Sequence, residues 1–328
     1  MKRAQRGAAL LVAMLVVTLV ATFAAASLWQ QWRSVEVESA ERSRVQSAWI
    51  LTGALDWARL ILREDARAGG ADHLAEPWAV PLQEARLSTF LAADQNNNAD
   101  LDTDAANVFL SGQIIDLQSQ LNVSNLVNAG SVQQDWVNRF ARLFDVLGLP
   151  QAHLTKLVEN LRFASDIHAD NRSSSQAALL PLRVDQLVWL GVPVQTVAVL
   201  EPYVTVLPAS PVPVNLNTAS AEVIYAALDS ISMADAQRLV GERERQHFRL
   251  PADAARLLNT DPNNFPTNFV TTASRFFEVR GRLRLDKTII EERSVVQRDG
   301  LDVKVIQRER GVVDPTALTR AALNAAQR

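Results

Sequence analysis

Apolar and polar positions follow three successive regimes along the chain. No acidic or basic residue separates Arg6 from Arg33, and residues 8–28 are uncharged throughout. As a helix they would cover roughly 30 Å, about one bilayer core. Over residues 29–65 apolar side chains recur at Trp29, Trp32 and Val35, then Val45, Ala48 and Trp49, then Thr52, Leu55, Ala58 and Ile61 or Leu62. That is a helical period. Proline is absent there, Gly53 is the single glycine, and Gly69-Gly70 supplies a stop. One helix of roughly 85 Å from Ala8 to Asp65 is expected. From Phe276 the period becomes two: Phe277, Val279, Leu283 and Leu285 alternate with Glu278, Arg280, Arg282 and Arg284. This predicts a half-buried strand. Residues 288–297 and 302–307 follow as an antiparallel meander, with the turn at Arg298-Asp299-Gly300.

Between these regimes, residues 87–91 and 108–115 are the strand candidates. Residues 132–147, with Trp136, Val137, Phe140, Leu143, Phe144 and Leu147, predict a helix, as do 154–163 and 184–190. Four prolines (Pro202, Pro208, Pro211 and Pro213) make residues 201–214 an extended connector. Asn217 or Thr218 can cap the helix that follows, with Glu222 in its first turn, and residues 235–245 form the next helix. The order predicts an α+β fold, in which a long N-terminal helix packs on an antiparallel sheet interrupted by a helical insertion.

At the N-terminus, Lys2, Arg3 and Arg6 precede the apolar run, which holds that end in the cytoplasm by the positive-inside bias. Three fates fit the segment. It can be a signal anchor, a cleaved secretory signal ending at Ala24-Ala25-Ala26-Ser27, or a pilin-type leader cut after Gly7 with the helix retained. The amphipathic continuation favours the third, since a removable signal has no use for it.

The 328 residues allow about two domains. A net charge of -3 argues against a broad nucleic-acid surface. The lack of cysteine excludes disulfides, thiolate catalysis and cysteine-ligated zinc. The four histidines are scattered, and no nucleophile–base set, phosphate loop or zinc motif occurs. Asp94, Asn96, Asn98, Asp100, Asp102 and Asp104 alternate as oxygen ligands for Ca2+ would. Ala99 and Ala105 stand where an EF-hand has Gly and Glu, and a solvated polar loop accounts for the same residues. The Asp166-Ile-His168-Ala-Asp170 cluster reads as a loop with turn or capping roles before a metal site. The helix following the Asn217 or Thr218 cap and residues 235–245 suggest a helix-hairpin-helix scaffold. Its hairpin, Leu228-Asp229-Ser230-Ile231-Ser232-Met233, has no glycine and carries an acid, so the backbone-amide phosphate site is missing.

Four pieces in this order resemble the K-type minor pseudopilins of the type II secretion system. They are the leader Lys2-Arg3-Ala4-Gln5-Arg6-Gly7 before Ala8-Ala-Leu-Leu; Asp116-Leu-Gln-Ser-Gln-Leu-Asn122-Val-Ser-Asn125-Leu126; Tyr203-Val-Thr-Val-Leu-Pro208; and Val214-Asn-Leu-Asn-Thr-Ala219. The resemblance covers almost the whole chain. It implies a pilin-like α+β fold with a large inserted all-helical domain, SAM-like or helix-hairpin-helix-like. It implies divisions at 1–7 (leader), 8–68 (transmembrane and amphipathic helix), 71–121 (first part of the pilin-like domain), 122–274 (insertion, its halves joined at 201–214), 275–310 (meander) and 311–328 (tail). Prepilin peptidase is expected to cut between Gly7 and Ala8 and methylate the Ala8 amine. Pilin-like chains usually carry Glu five residues into the mature chain, where this one has Val12. In the family that departure belongs to the K type, thought to cap the pseudopilus. The expected partners are the I- and J-type minor pseudopilins, other pseudopilus subunits, prepilin peptidase and the inner membrane through 8–28, with most of the chain periplasmic. Calcium binding is also a family expectation; catalysis and nucleic-acid binding are not. The competing readings are a membrane-anchored helix-hairpin-helix DNA-binding or uptake protein and a membrane-tethered hydrolase or sensor.

Overall fold

The computed structural model describes residues 6–88, 108–166, 177–208, 211–285 and 288–313. The chain divides into two units, residues 1–54 and 55–328, and one helix, α1 (Arg6–Ala68), contributes to both.

In the first unit the described residues are helical throughout. Leu10, Val12, Leu15, Leu19, Phe23 and Leu28 are all exposed. Among the described residues this is the one helix long and apolar enough to cross a membrane. Both threonine hydroxyls of the apolar run bond back to their own helix: Thr18 Oγ1 donates to the Leu15 carbonyl at 2.9 Å, and Thr22 Oγ1 to Leu19 at 2.8 Å. A lipid-facing helix needs such back-bonding, because hydrocarbon offers no partners. The Trp29 and Trp32 rings lie 5.4 Å apart, tilted by 41°, just beyond the apolar run, where amphipathic rings favour a membrane–water interface. Beyond them Glu38 pairs with Arg42 at 2.8 Å.

The second unit begins within α1, which ends as expected at the glycine pair. The Gly69 N–H donates to the Asp65 carbonyl at 3.0 Å, and Gly69 and Gly70 take φ of +69° and +123°. Such backbone carries a strain penalty for residues with a Cβ. Next come β1 (Leu82–Arg86), β2 (Val108–Asp116), β3 (Leu121–Asn122), β4 (Val127–Asn128) and β5 (Ser131–Val132). Helices α2 (Gln134–Val146) and α3 (Gln151–Ser165), a 3-10 helix (Val184–Leu190) and α4 (Val194–Leu200) follow. Then come β6 (Val204–Thr205), β7 (Val214–Asn215), α5 (Ala221–Ala227), α6 (Met233–Arg243), α7 (Pro251–Leu257) and β8 (Val270–Thr271). The unit closes with β9 (Phe276–Leu285), β10 (Thr288–Asp299) and β11 (Asp302–Val313).

The main sheet has the order β1-β2-β9-β10-β11 and is antiparallel throughout. Strands β2 and β9 pair from Val108↔Leu285 to Asp116↔Phe277, so everything between them leaves and re-enters the sheet at one end. At the centre Gly112 faces Gly281; a Cβ on Gly112 would lie 2.9 Å from the Arg280 carbonyl. Leu55, Ala58 and Leu62 of α1 pack on Trp78, Phe277, Val279, Val296 and Val303, with Trp78 edge-on to Phe277 at 5.2 Å. The helical insertion has its own core, which includes Phe140, Leu143, Phe144, Leu157, Leu187, Ile224 and Leu239.

The α+β architecture and the interrupted sheet match the expectation. The differences are local. Residues 87–91 are not the first strand: it runs Leu82–Arg86, and Leu87 and Ser88 are helical, while 89–91 lie outside the described residues. Pairing with β2 defines this edge strand, from Leu82↔Gly112 to Arg86↔Phe109, and its own apolar pattern is too short to locate it. The meander continues to Val313 because β10 supplies a partner through Ile289↔Val313. Helices α4 and α7 arose without a sequence signal, being seven residues each.

Replacing Leu62, which is fully buried, by Ala should cost about 2–5 kcal/mol through lost transfer energy and a cavity. Thermal melting of the full chain in detergent measures it; an unchanged midpoint would show that α1 does not anchor this core.

Candidate functional site

The three body motifs meet where the insertion joins the sheet. Asp116 ends β2 and is 3% exposed, so bulk solvent hardly reaches its carboxylate. The chain therefore surrounds it with donors. Oδ2 accepts from Thr218 Oγ1 and Ser274 Oγ, both at 2.6 Å, and from Asn215 Nδ2 at 3.1 Å. Oδ1 accepts from the Gln118 N–H at 2.8 Å. Asn215 and Thr218 come from the Val214-Asn-Leu-Asn-Thr-Ala219 motif, and Ser274 lies just before β9.

A second carboxylate continues the network. Asp72, in the loop after α1, accepts from the Ser274 N–H at 2.6 Å. Arg298, at the end of β10, donates to both Asp72 oxygens at 2.5 and 2.7 Å, to the Ser274 carbonyl at 2.7 Å and to Asp65 Oδ2 at 2.6 Å. The Arg298 N–H reaches the Arg275 carbonyl at 2.6 Å. One hub thus joins the end of α1, the ends of β2 and β10, the start of β9 and the insertion.

The other motif residues clamp the connector. Asn122 Oδ1 accepts from the Leu207 N–H at 2.9 Å. Asn125 makes a reciprocal pair with the Val212 backbone at 2.9 and 2.8 Å. The Leu121 N–H bonds the Tyr203 carbonyl, and β3 runs parallel to β6. Gln118 Nε2 holds the Pro213 carbonyl, and its Oε1 accepts from the Arg275 N–H. Asn217 pairs with the Phe248 backbone in both directions at 2.9 Å. Each side-chain amide presents both an acceptor and donors, so it can stand in for a strand neighbour where the connector has none.

Burial raises Asp116 to about 6 despite its four donors. Burial also lifts Glu76 to about 7, against the His73 N–H and Trp78 Nε1 bonds that stabilise its anion. Arg298 is pulled down by burial but raised on balance by Asp72 and Asp65, and it stays charged. The carboxylates of Asp65, Asp72 and Glu76 converge within 4.8 Å. Arg298 already serves Asp65 and Asp72 as counter-ion, so the arrangement is centred on an internal ion pair.

The residues expected to carry chemistry are distributed otherwise. Asp94, Asn96, Asn98, Asp100, Asp102 and Asp104 lie outside the described residues, as do His168 and Asp170; Asp166 follows α3 as its C-cap. Val12 is in α1 and exposed. Neither Asn217 nor Thr218 caps α5: both are engaged in the network, and Ser220 accepts from the Val223 N–H instead. Helix α6 starts at Met233, two residues before expectation, because Ser232 and Asp235 form a capping box. Two α2 arginines engage the hairpin through its carbonyls. Arg139 reaches the Ala227 carbonyl and Asp229, and Arg142 the Tyr225, Leu228 and Ile231 carbonyls. Their guanidiniums also lie 3.3 Å and 4.0 Å from the Phe269 and Tyr225 ring centres. These two cations at the hairpin are therefore committed to internal carbonyls and rings. Asp72, Ser274 and Arg298 gave no local motif. One signal existed for Arg298: it shares the inward parity of Ile290, Glu292, Ser294 and Val296 on β10, where a charge demands a buried partner.

An apolar-headed N-terminal helix laid on an antiparallel meander, with a helical insertion tied in by this hub, defines a pilin-like minor pseudopilin class. Two family profiles, each described as type II secretion system (T2SS), protein K, match residues 119–209 and 214–272. The type II secretion system protein K of Pseudomonas aeruginosa (strain PAO1) is 28% identical over 337 aligned positions, covering 95% of this chain and 94% of that protein. Its counterpart from Pectobacterium carotovorum subsp. carotovorum is 26% identical, covering 95% and 98%. A chain in the crystal structure of the GspK-GspI-GspJ complex from enterotoxigenic Escherichia coli superposes with a TM-score of 0.64 at 18% identity, covering 83% of this chain and 98% of that one. The chain belongs to the type II secretion system protein K family, and α1 fits an inner-membrane anchor.

Asp116→Asn tests the hub. An amide NH2 would oppose either the three Oδ2 donors or the Gln118 N–H, a mismatch of about 1–3 kcal/mol. Burial pushes the native carboxyl up to about 6 from its ordinary value of 3.8. Wild-type stability from this group therefore falls as pH rises from about 4 to 6. The variant lacks that titration, so its deficit should be about 1–2 kcal/mol larger at pH 5 than at pH 8. Denaturation at both pH values measures this; an equal deficit would mean that Asp116 is ionised throughout.

Proposed function

We propose that this minor pseudopilin caps the tip of the pseudopilus, initiating its assembly and limiting its length in support of protein export across the outer membrane. One observation carries the reading: between two directly paired strands, β2 and β9, the chain inserts a helical body with a core of its own. Shaft subunits of a filament must stack closely around bundled α1-type helices, and an insertion of this bulk suits a terminal position. Val12 supports the same position. A carboxylate in hydrocarbon costs a few kcal/mol unless paired, and a terminal subunit has no neighbour above it whose N-terminal amine could pair with one.

Prepilin peptidase would cut between Gly7 and Ala8 and methylate Ala8, leaving residues 8–28 as a single inner-membrane span. Lys2, Arg3 and Arg6 orient the N-terminus to the cytoplasm and the body to the periplasm. The I- and J-type minor pseudopilins are the expected neighbours; the structurally similar chain comes from a GspK-GspI-GspJ complex. The role is structural, with no reaction of its own and no nucleic-acid partner. Calcium binding by the alternating oxygens from Asp94 to Asp104 is part of the proposal and rests on ligand spacing alone.

Mass spectrometry of the mature N-terminus in cells with prepilin peptidase should find methyl-Ala8. An intact Met1, or a start at Ser27, would overturn the leader assignment. Val12→Glu should be processed normally and lower secretion severalfold; secretion at the wild-type level would remove the charge argument for the tip. Calcium should raise the melting temperature of the full chain in detergent, and Asp100→Ala or Asp102→Ala should reduce the rise. No rise in the unmutated chain ends the calcium reading.

A further inference from the structure

Beside the hub, two imidazoles from distant parts of the chain lie face to face. His73, in the loop after α1, stacks on His247, in the segment between α6 and α7, with ring centroids 3.9 Å apart and planes 10° from parallel. Both rings are half-buried. The His73 Nδ1 accepts from the Ala75 N–H at 3.3 Å, a contact that favours the neutral ring with its proton on Nε2. Each histidine adjoins a hub residue. Asp72 binds Arg298, and Phe248 is held by Asn217. The contact is thus a tie between the α1 end of the fold and the insertion.

We propose that the His73–His247 stack is a pH-sensitive latch, closed while at least one ring is neutral and opened when both are protonated. Two imidazolium charges at stacking distance repel, and the surroundings do little to screen them. From α1 the stack meets Asp65, and from its own loop Asp72 and Glu76. From β10 comes Arg298, a cation that already occupies Asp65 and Asp72. In the segment between α6 and α7, Arg245 and Arg249 flank His247 in sequence. Glu76 is no ready counter-ion either: burial raises its carboxyl to about 7, so acid neutralises it. Burial, then His247, lowers His73 below its ordinary value. The sign follows. The neutral ring is favoured in the folded state, so stability is intact above the unfolded value near 6.5 and is lost as pH falls through the lower folded value. The opposing titration of Glu76 stabilises the fold as pH falls from about 7 toward 4.5, so a global melting point mixes both effects.

Amide hydrogen exchange of the full chain in detergent, corrected for intrinsic rates, separates them. Between pH 7.5 and pH 5.0, peptides covering residues 71–76 and 244–250 should lose protection about tenfold or more, while β9 and β10 keep theirs. His247→Phe preserves an aromatic stack without the charge and should hold protection within about twofold. Wild-type protection that does not change, or an equal loss in His247→Phe, overturns the latch. If His247→Phe lacks protection in β9 and β10 at pH 7.5, His73→Phe, which removes the other charge, decides by the same criteria. Glu76→Gln should leave the response in place; its disappearance would put the responsible proton on the carboxyl and overturn the imidazole assignment.

Discussion

Two carboxylates withdrawn from water, Asp116 and Asp72, organise this fold. A buried carboxylate is tolerated only when donors or a cation surround it. Here those donors come from every part of the second unit. Asn215 and Thr218 belong to the insertion, Ser274 to its exit, and Arg298 to the far end of β10. Removal of Arg298 would take from Asp72 and Asp65 the cation that offsets their burial, so the join between sheet and insertion depends on it. Apolar packing alone would hold the two bodies together without fixing their orientation, because hydrophobic contact is non-directional. Bonds of 2.5–2.7 Å between Arg298 and Asp72 and of 2.6 Å from Ser274 to Asp116 supply that direction.

The insertion repeats this use of polar groups. Arg139 and Arg142 of α2 cap the carbonyls at the end of α5 and in the following hairpin, where the helix dipole is negative. Asn122, Asn125 and Gln118 take the place of strand neighbours for the proline-rich connector. Proline lacks an N–H, so a connector rich in it cannot be held by sheet pairing alone. The side-chain amides make up the difference. This is the physical reason that three separated motifs occur together in one chain.

The first unit obeys a different constraint. In residues 8–28 charge is absent, and the Thr18 and Thr22 hydroxyls bond back to their own helix, as an apolar surrounding requires. The same helix then becomes an ordinary amphipathic element, with Leu55, Ala58 and Leu62 buried against Trp78 and Phe277. One continuous secondary structure thus meets two solvents, which is the property a membrane-anchored filament subunit needs.

Sequence alone determined what depends on near neighbours. The uncharged run, the helical period of α1 and its glycine stop, and the period-two pattern of β9 were legible because each is set by residues one to four positions apart. The capping box at Ser232 and Asp235 is equally local, and it starts α6 at Met233 rather than at Asp235. What tertiary structure decided is everything that spans the insertion. Strand β1 is placed by β2, the end of β11 by Ile289 of β10, and α4 and α7 by a core too distant in sequence to read. The motif residues Asp116, Asn215 and Thr218 are visible in the sequence, yet Asn217 and Thr218 read as helix caps until the fold brings the Phe248 backbone to Asn217 and Asp116 to Thr218. A polar side chain shows its type in the sequence, but its partner is chosen by the fold, and in this protein the partners lie across the whole inserted body.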